Sequence, residues 1–564
     1  MTDRRTYTGQ AAAPGTALGV VHRADRPHAR TALPHRTSGD HTEQITDGFD
    51  AVATRLLDLS VSLREQGKDE QADIMEVNSY IAQDQDLRDQ AIKRANDGRP
   101  VPVAVRQAID AYAGIIAALD DPTLAERAAD VRQVGRRVLA HLHGETGPAP
   151  DRPLVLIAHE IGAADLLEPG QTVTAAISVT GGPNSHAAIV ARSLGIPFLL
   201  AVDPQLLELP DGQEILLDAD QASAVAVAHP DDDERTTALR TMETARARRL
   251  ALAEERHLPA ETVDRHRIVL RANVATPAEA RAALTTGAEG VGLLRTELPF
   301  LNHRAWPTRE QHAATLVPVL RALNGQVVTA RTLDFADDKL PPFLAEGRED
   351  GRLGRGLPLM LAQPDAFADQ FRSLLSAGAD TDLRIMIPMV ASVDELRVCR
   401  RLLEAAATEA DVAMPPLGIM VELPEAVAAA DDLAREAAFF SIGSNDLTCQ
   451  ILGLDRRDPA ATPAMAAHPA VLEAISRVVT AAHRHDRQVS VCGDAAAHPL
   501  VTPLLIGLGC DSLSVGPAAL DEVRARIRRL RHDTCASLAA VALTREAPDD
   551  VWRLVEQCCR PSLP

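Results

Sequence analysis

Between Arg267 and Val515 the sequence offers eight short apolar runs separated by helix-length segments, and few folds accept that pattern. The runs are Ile268 to Val274, Val291 to Arg295, Val327 to Thr332, Leu383 to Met389, Leu417 to Glu422, Phe439 to Ile442, Gln488 to Cys492 and Ser512 to Val515. Eight strand-helix alternations within about 250 to 280 residues are the sequence form of a parallel (β/α)8, TIM-like barrel. A doubly wound sheet is the alternative architecture.

Such barrels carry their chemistry at the C-terminal ends of the strands, and the residues suited to chemistry fall there. The second run ends in Arg295-Thr296-Glu297, the third in Arg331-Thr332-Leu333-Asp334 and the fifth in Glu422. Asn445-Asp446 follow the sixth run, with Arg456 further along that loop, and the seventh ends in Cys492-Gly493. Guanidinium groups bind phosphate and carboxylate bidentately, so Arg295, Arg331 and Arg456 suit a ligand bearing both. Glu422 and Asp446, from adjacent strands, are the minimum that Mg2+ takes from a protein while keeping water and substrate oxygens. Plainer readings exist for single residues: Arg295 with Glu297 as a rim ion pair, Glu422 as a helix cap, Cys492 as a small buried hydrophobe. Their gathering at one end of one barrel makes coincidence a poor account.

A second feature lies upstream. Gly181-Gly182-Pro183-Asn184-Ser185-His186 follows the apolar run Val173 to Val179 and leads into Ala187 to Leu194, a strand followed by a helix. Asn184 or Ser185 can cap the first turn, and Gly195 with Pro197 supplies the stop. His186 then sits on or beside the first turn, where free N–H groups and the helix dipole favour an anion. An imidazole so placed can carry a phosphoryl group, although a bare Gly-Gly-x-x-x-His also occurs as an ordinary turn.

The chain's 564 residues exceed one core, so three or four units are expected. Tyr7 to Val21 reads as one or two short strands turning through Pro14-Gly15. Ile45, Phe49, Val52, Leu56, Leu59 and Leu63 then form a stripe on one helix face, and Ile74 to Leu87, Val103 to Leu119 and Leu124 to Leu142 continue in helical periods. Strand-like runs resume at Leu154 to Ala158, Val173 to Val179, Phe198 to Val202 and Ile215 to Asp218. These observations predict an α/β domain from residues 1–22 and 145–230, with a helical bundle, residues 23–144, inserted in it. Residues 231–258 read as an exposed linking helix, 259–540 as the barrel and 541–564 as a C-terminal tail.

A formal net charge of −21 and 2% aromatic residues speak against a nucleic-acid partner and for a small basic protein. The first residues lack a signal peptide's apolar segment and no run is long enough to span a bilayer, so a cytoplasmic protein without membrane contact is expected. Seven cysteines, all from Cys399 onward and without metal-type spacing, predict neither disulfides nor a zinc site.

The segment from Gly181 through His186 to Pro197 resembles the phosphohistidine signature of enzymes that use phosphoenolpyruvate (PEP). Gly290 to Glu297, Gly418 to Glu422 and Phe440 to Thr448 are similar to the barrel motifs of the same family. Within it the chain resembles, over nearly its whole length, the enzyme I group of the bacterial phosphotransferase system. Glu126-Arg127-Ala128-Ala129-Asp130-Val131-Arg132 matches as well, in the bundle where that group binds its small phosphocarrier protein. Only about 180 residues precede His186, too few for the ATP-grasp region of the related dikinases and synthases.

The resemblance implies a phosphotransferase with a swivelling phosphohistidine domain that moves phosphate from PEP to His186 and on to a histidine of the carrier protein. It implies Mg2+ on Glu422 and Asp446, phosphoryl oxygens on Arg295 and Arg331, and Arg456 and Asn445 positioning the rest of the substrate. It also implies Cys492 as the proton donor that yields pyruvate, and a homodimer formed through the barrel. Two stretches depart from the family pattern. Phe335-Ala336-Asp337-Asp338-Lys339 stands where a glycine pair is usual, and Gly356 replaces an arginine, with Arg355 beside it. The alternative they raise is a divergent regulatory paralogue that binds carrier protein or PEP with little turnover.

Overall fold

The computed structural model describes residues 4–24, 41–65, 69–118, 122–143, 152–167, 172–182, 186–220, 224–301, 303–335, 341–345, 357–455, 458 and 460–559, apart from a few helical side chains, His186 among them. The chain divides into two compact units after Arg248.

In the first unit β1 (Arg5–Ala13) and β2 (Thr16–Arg23) precede five helices: α1 (His41–Glu65), α2 (Asp69–Gln83), α3 (Gln85–Asn96), α4 (Val101–Ala117) and α5 (Pro122–Leu142). All six residues of the α1 stripe, Ile45 to Leu63, are buried, whereas Leu57 and Val61 beside it are exposed. One face of the helix is therefore the seam of the bundle core. The next elements are β3 (Leu154–Ala158), α6 (Ala163–Leu166), β4 (Val173–Ser178), α7 (His186–Leu194), β5 (Phe198–Leu200), β6 (Glu214–Asp218) and β7 (Ala224–Ala228).

The seven strands close into one barrel in the order β1-β5-β4-β3-β2-β6-β7. Strand β2 pairs in parallel with β3, Val20 opposite Leu154, although the whole bundle intervenes in sequence. Three arginines of α5 fasten the bundle to this barrel: Arg132 to Glu160 at 3.1 Å, Arg136 to Asp165 at 3.0 Å, and Arg137 to the Ala164 carbonyl at 2.8 Å. Helix α8 (Asp232–Glu254) carries Asp232, Asp233 and Glu234 in its first turn, which suits the positive end of its dipole. It leaves Leu239 and Leu250 exposed.

In the second unit eight strands, β8 (Val269–Val274), β9 (Val291–Leu294), β10 (Val327–Arg331), β11 (Asp382–Ile387), β12 (Leu417–Val421), β13 (Phe439–Ile442), β14 (Gln488–Val491) and β15 (Ser512–Val515), form a closed parallel barrel. The last strand pairs with the first, Leu513 opposite Leu270, which rules out the open doubly wound sheet. Period-two alternation sorts the side chains. Outward residues such as Leu270, Ala272, Ile385, Ile419, Val489 and Leu513 pack with the surrounding helices in one large core. Their inward neighbours are largely polar, with a separate small apolar cluster of Leu293, Met386, Met420, Phe439 and Cys492.

One expected boundary is corrected. Within 541–564, the stretch read as a tail, Pro548–Cys559 is a helix whose Val551, Val555 and Cys559 are buried in the barrel's main core. Apolar residues at i, i+4 and i+8 were visible there, but a short segment at a chain end gives no periodicity long enough to outweigh its position. Among the described residues no helix is long and apolar enough to cross a membrane.

Candidate active site

Strand β4 hands the chain to α7 through a turn that its own polar groups secure. Ser178 Oγ donates to the Thr180 carbonyl at 2.7 Å, and Thr180 donates from its N–H and its hydroxyl to the His159 carbonyl, each at 2.9 Å. Gly181 then takes φ +114°, a conformation that a side chain would strain, and a Cβ on Gly182 would meet only open space. Residues 183–185, including both candidate caps, lie outside the described residues, and α7 begins at His186. Its other end is closed by Gly195 at φ +66° and by the Ile196 N–H donating to the Ala191 carbonyl at 2.9 Å.

At the C-terminal end of the second barrel, Arg331 is buried at the end of β10 and donates to Glu297 at 2.7 Å and to Asp334 at 2.8 Å. Burial alone would lower its pKa, but the carboxylates of Glu297, Asp334 and Glu422 outweigh that and raise it, so the guanidinium stays charged. Glu297 thus pairs with Arg331 in the interior, and the rim pair with Arg295 does not form. Arg295 is partly exposed, directly after β9.

Glu422, at the end of β12, is buried. One of its oxygens accepts from the Met389 N–H at 2.7 Å, and Oε2 has no hydrogen-bond partner. Met389 holds φ +55°, strain of the kind found where structure serves a site. Burial, then the charges of Asp334 and Asp446, push Glu422 up to about 8. A buried carboxylate that is costly as an anion, with an orphaned oxygen and Asp446 within electrostatic reach, fits a divalent cation. Among the described residues no group of three or more His, Cys, Asp or Glu could hold a metal, so only a metal content with few protein ligands suits the place.

Asp446 and Asn445 occupy the first turn of the helix Ser444–Leu452. The Asn445 carboxamide donates to Asp494 Oδ2 at 2.9 Å and accepts from the Asp494 N–H at 3.0 Å, locking the loop after β14 against that turn. A side chain at Gly493 would crowd that turn, since a Cβ would lie 1.9 Å from Ser444 Oγ and 2.9 Å from the Ser444 backbone nitrogen. Just before it, buried Cys492 donates its thiol weakly to the Ile442 carbonyl at 3.5 Å. Desolvation drives the thiol up to about 11, against the pull of Ser441, Arg331 and Arg295, so it is a proton-bearing thiol at neutral pH. Arg456 and the two divergent stretches, Ala336-Asp337 and Arg355-Gly356, lie outside the described residues.

The chain matches the PEP-utilising enzyme models for the N-terminal region over residues 8–127, the mobile domain over 150–222 and the PEP-binding domain over 249–532. The chain belongs to the PEP-utilising enzymes. A phosphoenolpyruvate-protein phosphotransferase of Geobacillus stearothermophilus is 32% identical over 578 aligned residues, covering 98% of each chain, which supports placing this PEP-utilising enzyme with enzyme I. Multiphosphoryl transfer proteins of Xanthomonas campestris pv. campestris and Rhodobacter capsulatus are 37% and 36% identical over 97% and 93% of this chain. The chain spans 66% and 64% of those two proteins' lengths, about two thirds.

One residue of this PEP-utilising enzyme's site escapes the motif reading. Gln370, wholly buried on the helix Pro364–Ala377, donates to Thr296 Oγ1 at 2.9 Å and accepts from the Leu333 N–H at 3.0 Å. Thr296 in turn donates to the Arg331 carbonyl at 2.8 Å. The end of β9, next to Arg295, is thereby tied to the end of β10. The available signal was a polar residue within the stripe Phe367, Gln370, Phe371, Leu374, which belongs on a buried face.

Proposed function

We propose that this enzyme moves the phosphoryl group of PEP to His186 and from there to a histidine of a small phosphocarrier protein. The reading is carried by the buried cluster at the barrel's C-terminal end. There Arg331, braced by Glu297 and Asp334, lies within electrostatic reach of Glu422, whose free oxygen fits a divalent cation. In this reading Glu422 and Asp446 hold Mg2+, which when bound supplies positive charge to the substrate's phosphate and carboxylate. Arg295 and Arg331 take the phosphoryl oxygens, and Asn445 and Arg456 orient the remainder of the substrate. His186, neutral, attacks phosphorus in line as the bond to the enol oxygen breaks, so positioning and charge neutralisation do most of the work. Cys492 then gives its proton to the methylene carbon of enolpyruvate, leaving pyruvate. A thiol held near pKa 11 is protonated and ready for that step, and the nearby arginines ease the thiolate left behind.

His186 must serve both the barrel and a carrier bound at the bundle, so the domain that carries it swings. A cytoplasmic homodimer joined through the barrel belongs to the same proposal.

The test is incubation with labelled PEP and Mg2+, followed by acid and by alkali. The label is expected on a histidine nitrogen, labile in acid and stable in alkali, and absent from a folded His186→Ala variant. Label persisting in that variant refutes the assignment, and a wild-type chain that binds PEP without labelling points to a regulatory paralogue.

A further inference from the structure

The inner face of the second barrel carries two cations that the site above does not use. Arg271 on β8 and Arg384 on β11 alternate with Leu270, Ala272, Leu383 and Ile385, which face the outer core, so both side chains enter the barrel. Each sits below an inward residue nearer the C-terminal end, Asn273 and Met386 respectively, which places the pair toward the N-terminal mouth, opposite the catalytic cluster. Neither guanidinium makes a hydrogen bond within the described structure, and the Nε of each is buried without a partner. Among the described residues, Arg384 has a carboxylate, Asp382, only at 3.8 Å, and Arg271 has no ion pair. Glu289, the other acid within electrostatic reach, is already engaged by Arg267 and by the Leu270 N–H.

Most arginines of this chain that depart from their ordinary pKa are raised by carboxylates. Arg271 goes the other way: burial first, and then the charge of Arg384, push it down, and Glu289 and Asp382 do not restore it. Two partly buried guanidinium groups that repel each other, with ten N–H donors between them, one carboxylate at 3.8 Å and no hydrogen-bond acceptor among the described residues, are a costly arrangement unless an anion joins them.

We propose that the N-terminal mouth of this barrel binds a small tetrahedral oxyanion, inorganic phosphate in the first instance, between Arg271 and Arg384. Both forks can offer paired donors to such an ion, and Thr329, level with Arg384 on the adjacent strand, sits on the same inner face. The site stands apart from the PEP reading and does not depend on it.

The test is calorimetric titration of the full chain with inorganic phosphate in a phosphate-free chloride buffer, for wild type, Arg271→Met, Arg384→Met and Arg295→Ala. Arg295→Ala, altered at the opposite mouth, is expected to retain the binding that the methionine variants lose. The two methionine variants should bind at least about ten-fold more weakly, the loss of one charge-assisted hydrogen bond. Melting adds a sign that a purely structural arginine would not produce. Without phosphate, Arg271→Met should melt no lower than wild type, because an unpaired buried charge has been replaced by an apolar side chain. With phosphate, wild type and Arg295→Ala should rise, and the two methionine variants should rise less. No binding by wild type overturns the proposal, as does equal affinity in the methionine variants. Loss of binding in Arg295→Ala also overturns it, by locating phosphate at the other mouth. Arg271→Met melting lower without phosphate would do so too, by showing that the guanidinium already has a partner. Should Arg271→Met fail to fold, Arg384→Met, on a different strand, decides the binding question.

Discussion

At the scale of single residues, Cys492 separates two readings of one thiol. It is buried and its sulfur bonds only weakly, as an inert core cysteine would be, yet it lies within electrostatic reach of Arg331, Arg295 and Glu422. If it is the acid that protonates enolpyruvate, Cys492→Ser should cut turnover of PEP by about 10² or more, the usual weight of general acid–base catalysis. Phosphoryl exchange between His186 and the carrier should be unchanged, since no carbon is protonated there. Forward turnover within a few-fold of wild type would remove Cys492 from the mechanism. The residue's place at a strand end was legible in the sequence. Its protonation state was not, because that depends on which charges the fold brings around it.

At the scale of elements, the helix Pro364–Ala377 does more than cover the barrel. Through Gln370 it ties the ends of β9 and β10, the strand ends beside which Arg295 and Arg331 stand. Gln370→Leu, similar in size but unable to hydrogen-bond, should raise KM for PEP by roughly ten-fold or more, as two strand ends lose a shared restraint. Transfer between His186 and the carrier should be unaffected, and Thr296→Ser, which keeps the hydroxyl, should behave as wild type. An unchanged KM in a folded Gln370→Leu protein would reduce the network to packing. The sequence predicts a helix-length segment here, and the apolar stripe within it marks a buried face. A glutamine inside such a stripe announces only that it is buried, and its partners come from loops that the stripe cannot predict.

At the scale of the whole molecule, phosphoryl chemistry on PEP and on the carrier should be separable, because His186, in the first unit, is proposed for both steps, whereas the other residues proposed for the PEP step lie in the second. Glu422→Gln or Asp446→Asn removes charge proposed to hold the cation, and should abolish labelling from PEP. Each variant should still accept phosphate in reverse from phosphorylated carrier. Loss of both directions would show that these carboxylates support the fold rather than a metal. Measuring the two rates on the same preparation distinguishes the outcomes.

The amino-acid sequence by itself determined the alternation that closes the β8–β15 barrel, the helical bundle and the loop before His186. Those are local properties: period two, period 3.6, and the punctuation of Gly and Pro. It also placed Arg295, Arg331, Glu422, Asn445, Asp446 and Cys492 at strand ends, since in a parallel barrel the end of a strand is a position in space as well as in sequence. Only the tertiary structure decided which charges meet. It gave Glu297 and Asp334 to Arg331, left an oxygen of Glu422 without a partner, engaged Asn445 with Asp494, and set Arg271 within electrostatic reach of Arg384 with no carboxylate among the described residues closer than 3.8 Å to either. Those outcomes depend on contacts between strands distant in sequence, and on desolvation that no single segment can report.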